Sequence, residues 1–181
     1  MRRAVESGYG QPVESFPPLF NGSAHVLILG SMPGMASLSA GQYYAHPRNA
    51  FWRIMRGIFG IDESLPYSHR TTALLNQGLA VWDVLKACVR QGSLDSDIVS
   101  HSIVANDFKT LFEQCPAIAK IVFNGSTAEQ TYIRHVLPTL DLKHAAIPAV
   151  RLPSTSPAHA GLDFEGKLNA WRNALICVKP D

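Results

Sequence analysis

The sequence predicts an α/β protein, a three-layer α/β/α sandwich around a mainly parallel central sheet. Short apolar runs alternate along the chain with segments of helical periodicity. These runs are continuous in Val, Ile and Leu, which is typical of parallel strands that are buried on both faces. The alternation of strands and helices favours right-handed crossovers, which place helices on both sides of the sheet.

The elements are predicted in chain order. Residues 1–22 are predicted to be an irregular leader whose Phe16 and Phe20 dock on the core. Strands are predicted at residues 25–30, 79–84, 119–125 and 146–152, and helices at 50–60, 67–77, 103–114, 126–137 and 163–177. Because no repeat, low-complexity segment or linker interrupts residues 23–181, we expect them to form one domain.

Composition limits the classes of protein. The chain has 181 residues, of which 46% are hydrophobic and 17% charged, as in compact globular proteins. Its net charge of +2 permits a polyanionic partner without requiring one. The scattered Cys88, Cys115 and Cys177 argue against disulfide, zinc or iron–sulfur sites. No apolar run approaches the ~18–20 residues of a membrane span, and the N-terminus lacks a signal-like apolar core. We expect a cytoplasmic monomer without metal or cofactor.

Four polar segments follow the carboxyl ends of the predicted strands. They are the loop 30–49, WDVL (82–85), FNGS (123–126) and LPSTSPAHAG (152–161). Since open α/β sheets bind ligands outside these strand ends, we expect the four segments to form one site.

The first loop, GSMPGMASLSAGQYYAHPRN, suits close contact with a flat ligand. Its glycines, Gly30 and Gly34, allow a tight turn and a close backbone approach, and Pro33 fixes the turn. Tyr44 could stack on a ring or pack in the core. Asn49 stands at an N-cap position, so that helix capping and a functional role are both open.

The other segments add polar groups. Asp83 ends an apolar strand, where a carboxylate could cap the next turn or accept a hydrogen bond from a ring N–H. The Asn124 amide both donates and accepts. Hydroxyls and backbone N–H groups on a stiff loop suit a phosphate, and Ser154, Thr155, Ser156, Pro157 and His159 occupy such a loop.

Taken together, these motifs resemble the uracil-DNA glycosylase superfamily over residues 20–178. The resemblance rests on GSMPG, on YAHPRNAFW, on GLAVWD, on FNGSTA and on LPSTSPA, in this order. Met32 and Leu152 depart from the pattern, because the superfamily usually has an acidic or amide residue and a histidine or asparagine there. The form of the motifs resembles the hypoxanthine-DNA glycosylase branch, which implies that catalysis has moved to Asn49.

The resemblance implies a cofactor-independent enzyme that flips a deaminated base out of DNA and hydrolyses its glycosidic bond. It implies base contacts by Gly30, Ser31, Met32, Pro33, Gly34, Tyr44, Asp83 and Asn124, and backbone or wedge contacts by Arg48, Ser154, Thr155, Ser156, Pro157 and His159. A prokaryotic enzyme of this kind would act at the nucleoid. A uracil or mismatch glycosylase and a non-catalytic lesion-binding protein remain open. A generic nucleotide-binding protein is disfavoured, because no G-x-G-x-x-G or phosphate-loop lysine motif occurs.

Overall fold

The predicted apolar runs form a central parallel sheet in the computed structural model, which describes residues 11–176. The strands in this range are β1 Pro12–Glu14, β2 Val26–Gly30, β3 Leu79–Asp83, β4 Leu85–Val89, β5 Val104–Ala105, β6 Lys120–Asn124 and β7 Ala149–Leu152. The central sheet has the order β3-β2-β6-β7, with every neighbouring pair parallel. All five residues of β2 and of β3 are buried, which explains their continuous apolar sequences.

Helices cover both faces of this sheet. They are α1 Met35–Ala40, α2 Phe51–Phe59, α3 Tyr67–Asn76, α4 Phe108–Gln114, α5 Ser126–His135, α6 Leu142–Ala145 and α7 Phe164–Ile176. Short 3-10 turns occur at Asp95–Asp97, Ser100–Ser102 and Leu137–Thr139. No helix between residues 11 and 176 is both long and apolar enough to cross a membrane.

Two apolar clusters, one on each face, give the three layers. Helices α2, α3 and α7 pack on alternate β2 residues, Val26 and Ile28, through a cluster that includes Phe51 and Trp171. Helices α4 and α5 pack on the opposite face of the same strand, at Leu27 and Leu29. The predicted α/β/α sandwich is therefore confirmed.

A second, antiparallel sheet was not predicted. Its order is β1-β4-β5, so that residues 12–14 form a strand where an irregular leader was expected. The predicted helix 103–114 is wrong at its start, because Val104–Ala105 pair with β4. The Asp107 side chain accepts a hydrogen bond from the backbone N–H of Thr110 and thereby fixes the start of α4 at Phe108.

The leader nevertheless docks as predicted. Phe16 packs against the α2/α3/α7 cluster and Phe20 against the α4/α5 cluster. Leu19 forms an antiparallel bridge with Val81, next to the central sheet. Residues 1–10 of the predicted leader, and the final residue of the predicted helix 163–177, lie outside the described residues.

Candidate active site

The four polar segments surround one cavity of about 720 Å³ at the carboxyl ends of β2, β3, β6 and β7. This volume is in the range of small-molecule sites. The predicted site residues that line it are Gly30, Ser31, Met32, Pro33, Gly34, Tyr44, Asn49, Asp83, Asn124, Ser154, Thr155, Ser156, Pro157 and His159. Arg48, the remaining predicted residue, is exposed beside the cavity and does not line it.

A carboxyl group lies at the base of the cavity. Asp83 is 3% exposed, and its Oδ2 has no hydrogen-bond partner within residues 11–176. Burial raises the pKa of Asp83 to about 8, with a further rise from Asp95 and an opposing effect of Arg90. At neutral pH the group is therefore mainly a protonated acid, which can donate one hydrogen bond and accept another.

Tyr44 lines the cavity and has an unusual backbone conformation. Its φ is 57°, in the left-handed region, and its ring stacks on Phe51 with centroids 3.9 Å apart. The buried hydroxyl lacks a hydrogen bond of normal geometry, although Asn124 lies close enough to oppose the rise in its pKa. That rise comes first from burial and then from Asp83. The neighbouring Tyr43 also lines the cavity, but it is buried in the core and its hydroxyl donates to backbone carbonyls of the leader.

Asn49 bonds to the start of α2 and lines the cavity, although the N-cap position of this helix is Ala50 and not Asn49 as expected. Its Oδ1 accepts a 2.9 Å hydrogen bond from the backbone N–H of Phe51, the first residue of α2. The first turn itself is closed by the Ile54 N–H, which donates to the Ala50 carbonyl, and the Asn49 bond satisfies an N–H that has no partner inside the helix. The Asn49 NH₂ group makes no hydrogen bond to any residue between 11 and 176 and remains an available donor.

Asn124 fastens the loop of residues 152–161. Its amide NH₂ donates to Thr155 Oγ1 at 2.9 Å, and its Oδ1 accepts from the Thr155 backbone N–H at 2.8 Å. The Thr155 carbonyl also accepts from Ala50 N–H at 2.9 Å, so the same residue ties the loop to the start of α2. Thr155 is 1% exposed, and these contacts engage its polar groups inside the protein.

Other contacts hold the rest of this loop against α7. Trp171 Nε1 donates to the Pro153 carbonyl, and Lys167 Nζ donates to the His159 carbonyl. Ser154 and Ser156 are partly exposed, and each Oγ accepts from a backbone N–H two residues ahead. Their hydroxyl hydrogens are thus free to face an incoming ligand.

The sequence analysis missed three charged residues of the site, one of which is Arg151, a cavity-lining residue that pairs with Glu129. The other two are Asp95 and Arg90. Asp95 lines the cavity, and its Oδ2 accepts a 2.7 Å hydrogen bond from Ser31 Oγ. Arg90 is 4% exposed, donates to the Pro33 carbonyl and has its Nη1 3.9 Å from Asp95 Oδ1. Both follow β4, a strand that was not predicted. The signal that could have found them is the segment RQGSLDSD, which places an arginine near two aspartates.

The two residues that depart from the superfamily pattern are apolar parts of the core. Met32 is 6% exposed and packs with Leu85 and Cys88 beneath the antiparallel sheet. Leu152 is 7% exposed and joins the α2/α3/α7 cluster.

The fold and the cavity define an α/β/α protein with a small-molecule-sized site at the carboxyl ends of its parallel strands. The family model of the uracil DNA glycosylase superfamily matches residues 17–176. This chain belongs to the uracil DNA glycosylase superfamily, as the ordered motifs predicted.

Individual relatives are similar over most of their lengths. A protein named hypoxanthine DNA glycosylase from Methanosarcina barkeri is 40% identical over 113 residues, which are 62% of this chain and 70% of the relative. Its namesake from Methanosarcina acetivorans is 38% identical over 114 residues, with 62% and 71% covered. A solution NMR structure from Methanosarcina acetivorans, provisionally named a uracil DNA glycosylase, has a TM-score of 0.72 and 31% identity. That match covers 90% of this chain and 98% of the other.

Proposed function

We propose that this protein is a monofunctional DNA glycosylase that excises deaminated bases from DNA, with hypoxanthine preferred. Similarity to two proteins named hypoxanthine DNA glycosylase supports the reaction class. The choice of base rests on the Asp83 carboxyl group, which lies at the base of the cavity with its Oδ2 unpartnered within the described residues.

The Asp83 carboxyl group matches the lactam edge of a deaminated purine. Hypoxanthine presents an N1–H donor next to an O6 acceptor. A protonated Asp83 accepts from N1–H through its carbonyl oxygen and donates to O6 through its hydroxyl. An ionised Asp83 accepts from N1–H alone and repels the bare N1 of adenine.

The protonation state changes how adenine is rejected. The neutral acid could also pair with adenine, since it would donate to N1 and accept from the amino group. We therefore assign much of the discrimination at neutral pH to base flipping, which costs less at a weak or mismatched pair.

Asn49 is the residue that we assign to catalysis. Its NH₂ group is an available donor, and its Oδ1 keeps one lone pair beside the Phe51 bond. Glycosidic cleavage passes through an oxocarbenium-like sugar, so a fixed amide that orients the attacking water aids the reaction without becoming charged.

The rim supplies the contacts to DNA. We assign Ser154 and Ser156 to a phosphate, since their hydroxyls lie on a fastened loop. The exposed Arg48, Pro157 and His159 are candidates for contacts with the backbone and the vacated base stack.

Incubation with four DNA duplexes tests this function. Each carries one inosine, uracil, xanthine or ethenoadenine, and strand cleavage at abasic sites by alkali is measured. We expect the fastest product formation with inosine. Faster cleavage at uracil would favour a uracil glycosylase, because Asp83 can also accept from uracil N3–H. Tight binding of all four duplexes without cleavage would favour a lesion-binding protein.

A further inference from the structure

The cavity holds a carboxylate that its first loop does not provide. Residues 30–49 contain no aspartate or glutamate. Asp95, on the 3-10 turn Asp95–Asp97, reaches this loop from the segment that follows β4. Its Oδ2 accepts the 2.7 Å hydrogen bond from Ser31 Oγ, and so places a carboxylate against the loop backbone that carries Met32.

Asp95 is better placed than Asp83 to meet water. These two are the acidic residues that line the cavity in the described chain. The Asp83 residue is 3% exposed at the end of a buried strand, whereas the Asp95 side chain is 33% exposed. Two histidines also line the cavity. The Nδ1 of His46 already accepts a hydrogen bond from the Arg48 backbone N–H, and His159 is exposed at the rim.

Neighbouring groups fix the orientation of Asp95 and leave it basic. The Ser31 hydroxyl donates to it, and the Nη1 of Arg90 lies 3.9 Å from its Oδ1. Burial raises the pKa of Asp95, while Ser31, Arg90 and Thr127 oppose the rise. The charge of Asp95 contributes to the raised pKa of Asp83, so the two carboxyl groups lie close enough to interact.

We propose that Asp95 is the general base of the glycosylase reaction, an inference that rests on the proposed function. The bond from the base nitrogen to C1′ breaks, and its electron pair leaves with the base. A water oxygen forms the new bond to C1′, and the Asp95 carboxylate accepts the proton that this water releases. The departing base anion takes a proton from solvent, and Asp95 returns its proton to solvent. The net products are the free base and an abasic sugar.

The negative charge of Asp95 is expected to affect DNA binding and the chemical step in opposite directions. A carboxylate in a cavity that must receive polyanionic DNA weakens binding, so its neutralisation is expected to tighten it. Until Asp95 accepts the proton, the same negative charge stabilises the positive charge that develops at C1′ as the glycosidic bond breaks. Removal of the charge should therefore slow cleavage while affinity for DNA stays the same or increases.

Single-turnover cleavage of an inosine duplex by Asp95→Asn tests this proposal. We expect a rate at least ~100-fold below wild type, in line with the loss of a general base. The Kd of the duplex should not increase. The matched control is Asp97→Asn, which removes the same charge from an exposed residue of the same turn and should cleave at the wild-type rate.

The dependence of the cleavage rate on pH distinguishes general-base catalysis by Asp95 from a purely structural role. Ionisable groups near Asp95 are Arg90 and Asp83, and Arg151, His46 and His159 line the same cavity. Wild-type cleavage should fall with decreasing pH as Asp95 becomes protonated, and Asp95→Glu should keep this acidic limb at a reduced rate. The Asp95→Asn profile should lack the limb.

Two results would overturn the role of Asp95. One is a folded Asp95→Asn protein that cleaves as fast as wild type. The other, which holds even if the variant does not fold, is a wild-type rate that is independent of pH on the acidic side. If wild type itself cleaves none of the four lesion duplexes, the proposed function fails and this inference fails with it.

Discussion

Gly30 and Asp83 end neighbouring parallel strands as register partners, and the Asp83 carboxyl group occupies the space that a side chain at residue 30 would fill. A Cβ atom built on Gly30 overlaps Asp83 Oδ1 and lies 3.6 Å from the Tyr44 hydroxyl. The glycine therefore lets three groups from three segments meet at the base of the cavity.

Gly30→Ala is expected to displace the Asp83 carboxyl group. Because the contact is made inside a closely packed strand end, we expect the free energy of unfolding to fall by ~1–3 kcal/mol and cleavage of inosine DNA to slow. Chemical denaturation and single-turnover rates measure the two effects. Gly22→Ala is the control, since a Cβ on Gly22 meets nothing within 4 Å.

A double variant tests the cause of this loss. In Gly30→Ala/Asp83→Ala the overlapping oxygen is absent, so the destabilisation should be smaller than the sum of the two single effects. Additive destabilisation would show that Gly30 acts through some other contact.

The pKa of Asp83 predicts a pH-dependent stability. With a folded pKa of about 8 against 3.8 for an ordinary aspartate, the folded protein keeps a proton that the unfolded chain has lost. The free energy of unfolding should therefore decrease as pH rises from about 4 to about 8, by up to ~1.4 kcal/mol per pH unit. It should level off above that window.

Asp83→Asn removes this titration while it keeps a donor and an acceptor. Denaturation curves of wild type and variant, measured from pH 5 to 9, should show a stability difference that moves in favour of the variant as pH rises. A difference in free energy of unfolding that stays constant from pH 5 to 9 would contradict a buried Asp83 that retains its proton.

Much of the fold could be predicted because continuous apolar runs form the central sheet. The runs that contain β2, β3 and β6 are continuous in the sequence and fully or largely buried in the structure. Strands β1, β4 and β5 could not be recognised, since all three are partly exposed and paired through contacts distant in sequence, and β1 and β5 are also short.

The residues of the candidate site were also only partly predictable from the sequence. Asp83 ends a continuous apolar run and Asn49 precedes an amphipathic helix, so both could be placed at the rim from their positions alone. Asp95 reaches the cavity only because the antiparallel sheet directs its loop there, and periodicity does not report such pairing. That Asn124 is engaged by Thr155 depends on side-chain geometry, which the sequence does not encode locally. Its contact with a base stays a prediction.

Replacement of Ser154 and Ser156 by alanine should weaken DNA binding nearly uniformly across sequences. The reason is that phosphate contacts position a duplex without reading it. Affinities for lesion and undamaged duplexes, measured at several salt concentrations, test this expectation. Ser100→Ala, at an exposed 3-10 turn that does not line the cavity, is the control. Unchanged affinity in the double variant would remove both serines from the phosphate site.

The role of Asn49 must be separated from its helix cap. Asp107→Ala provides the matched comparison, because Asp107 caps α4 through Thr110 and does not line the cavity. Both Asn49→Ala and Asp107→Ala should lower the free energy of unfolding by ~0.5–2 kcal/mol. Only a catalytic residue should also alter the chemical step.

The single-turnover rate of hypoxanthine release by Asn49→Ala, measured beside wild type and Asp107→Ala, tests the account most directly. We predict that Asn49→Ala lowers this rate by ~100-fold or more while it still binds inosine DNA, because a transition-state contact is lost. Asp107→Ala should release hypoxanthine at the wild-type rate. A folded Asn49→Ala protein that matches wild type would contradict the account and leave Asn49 as a helix cap alone.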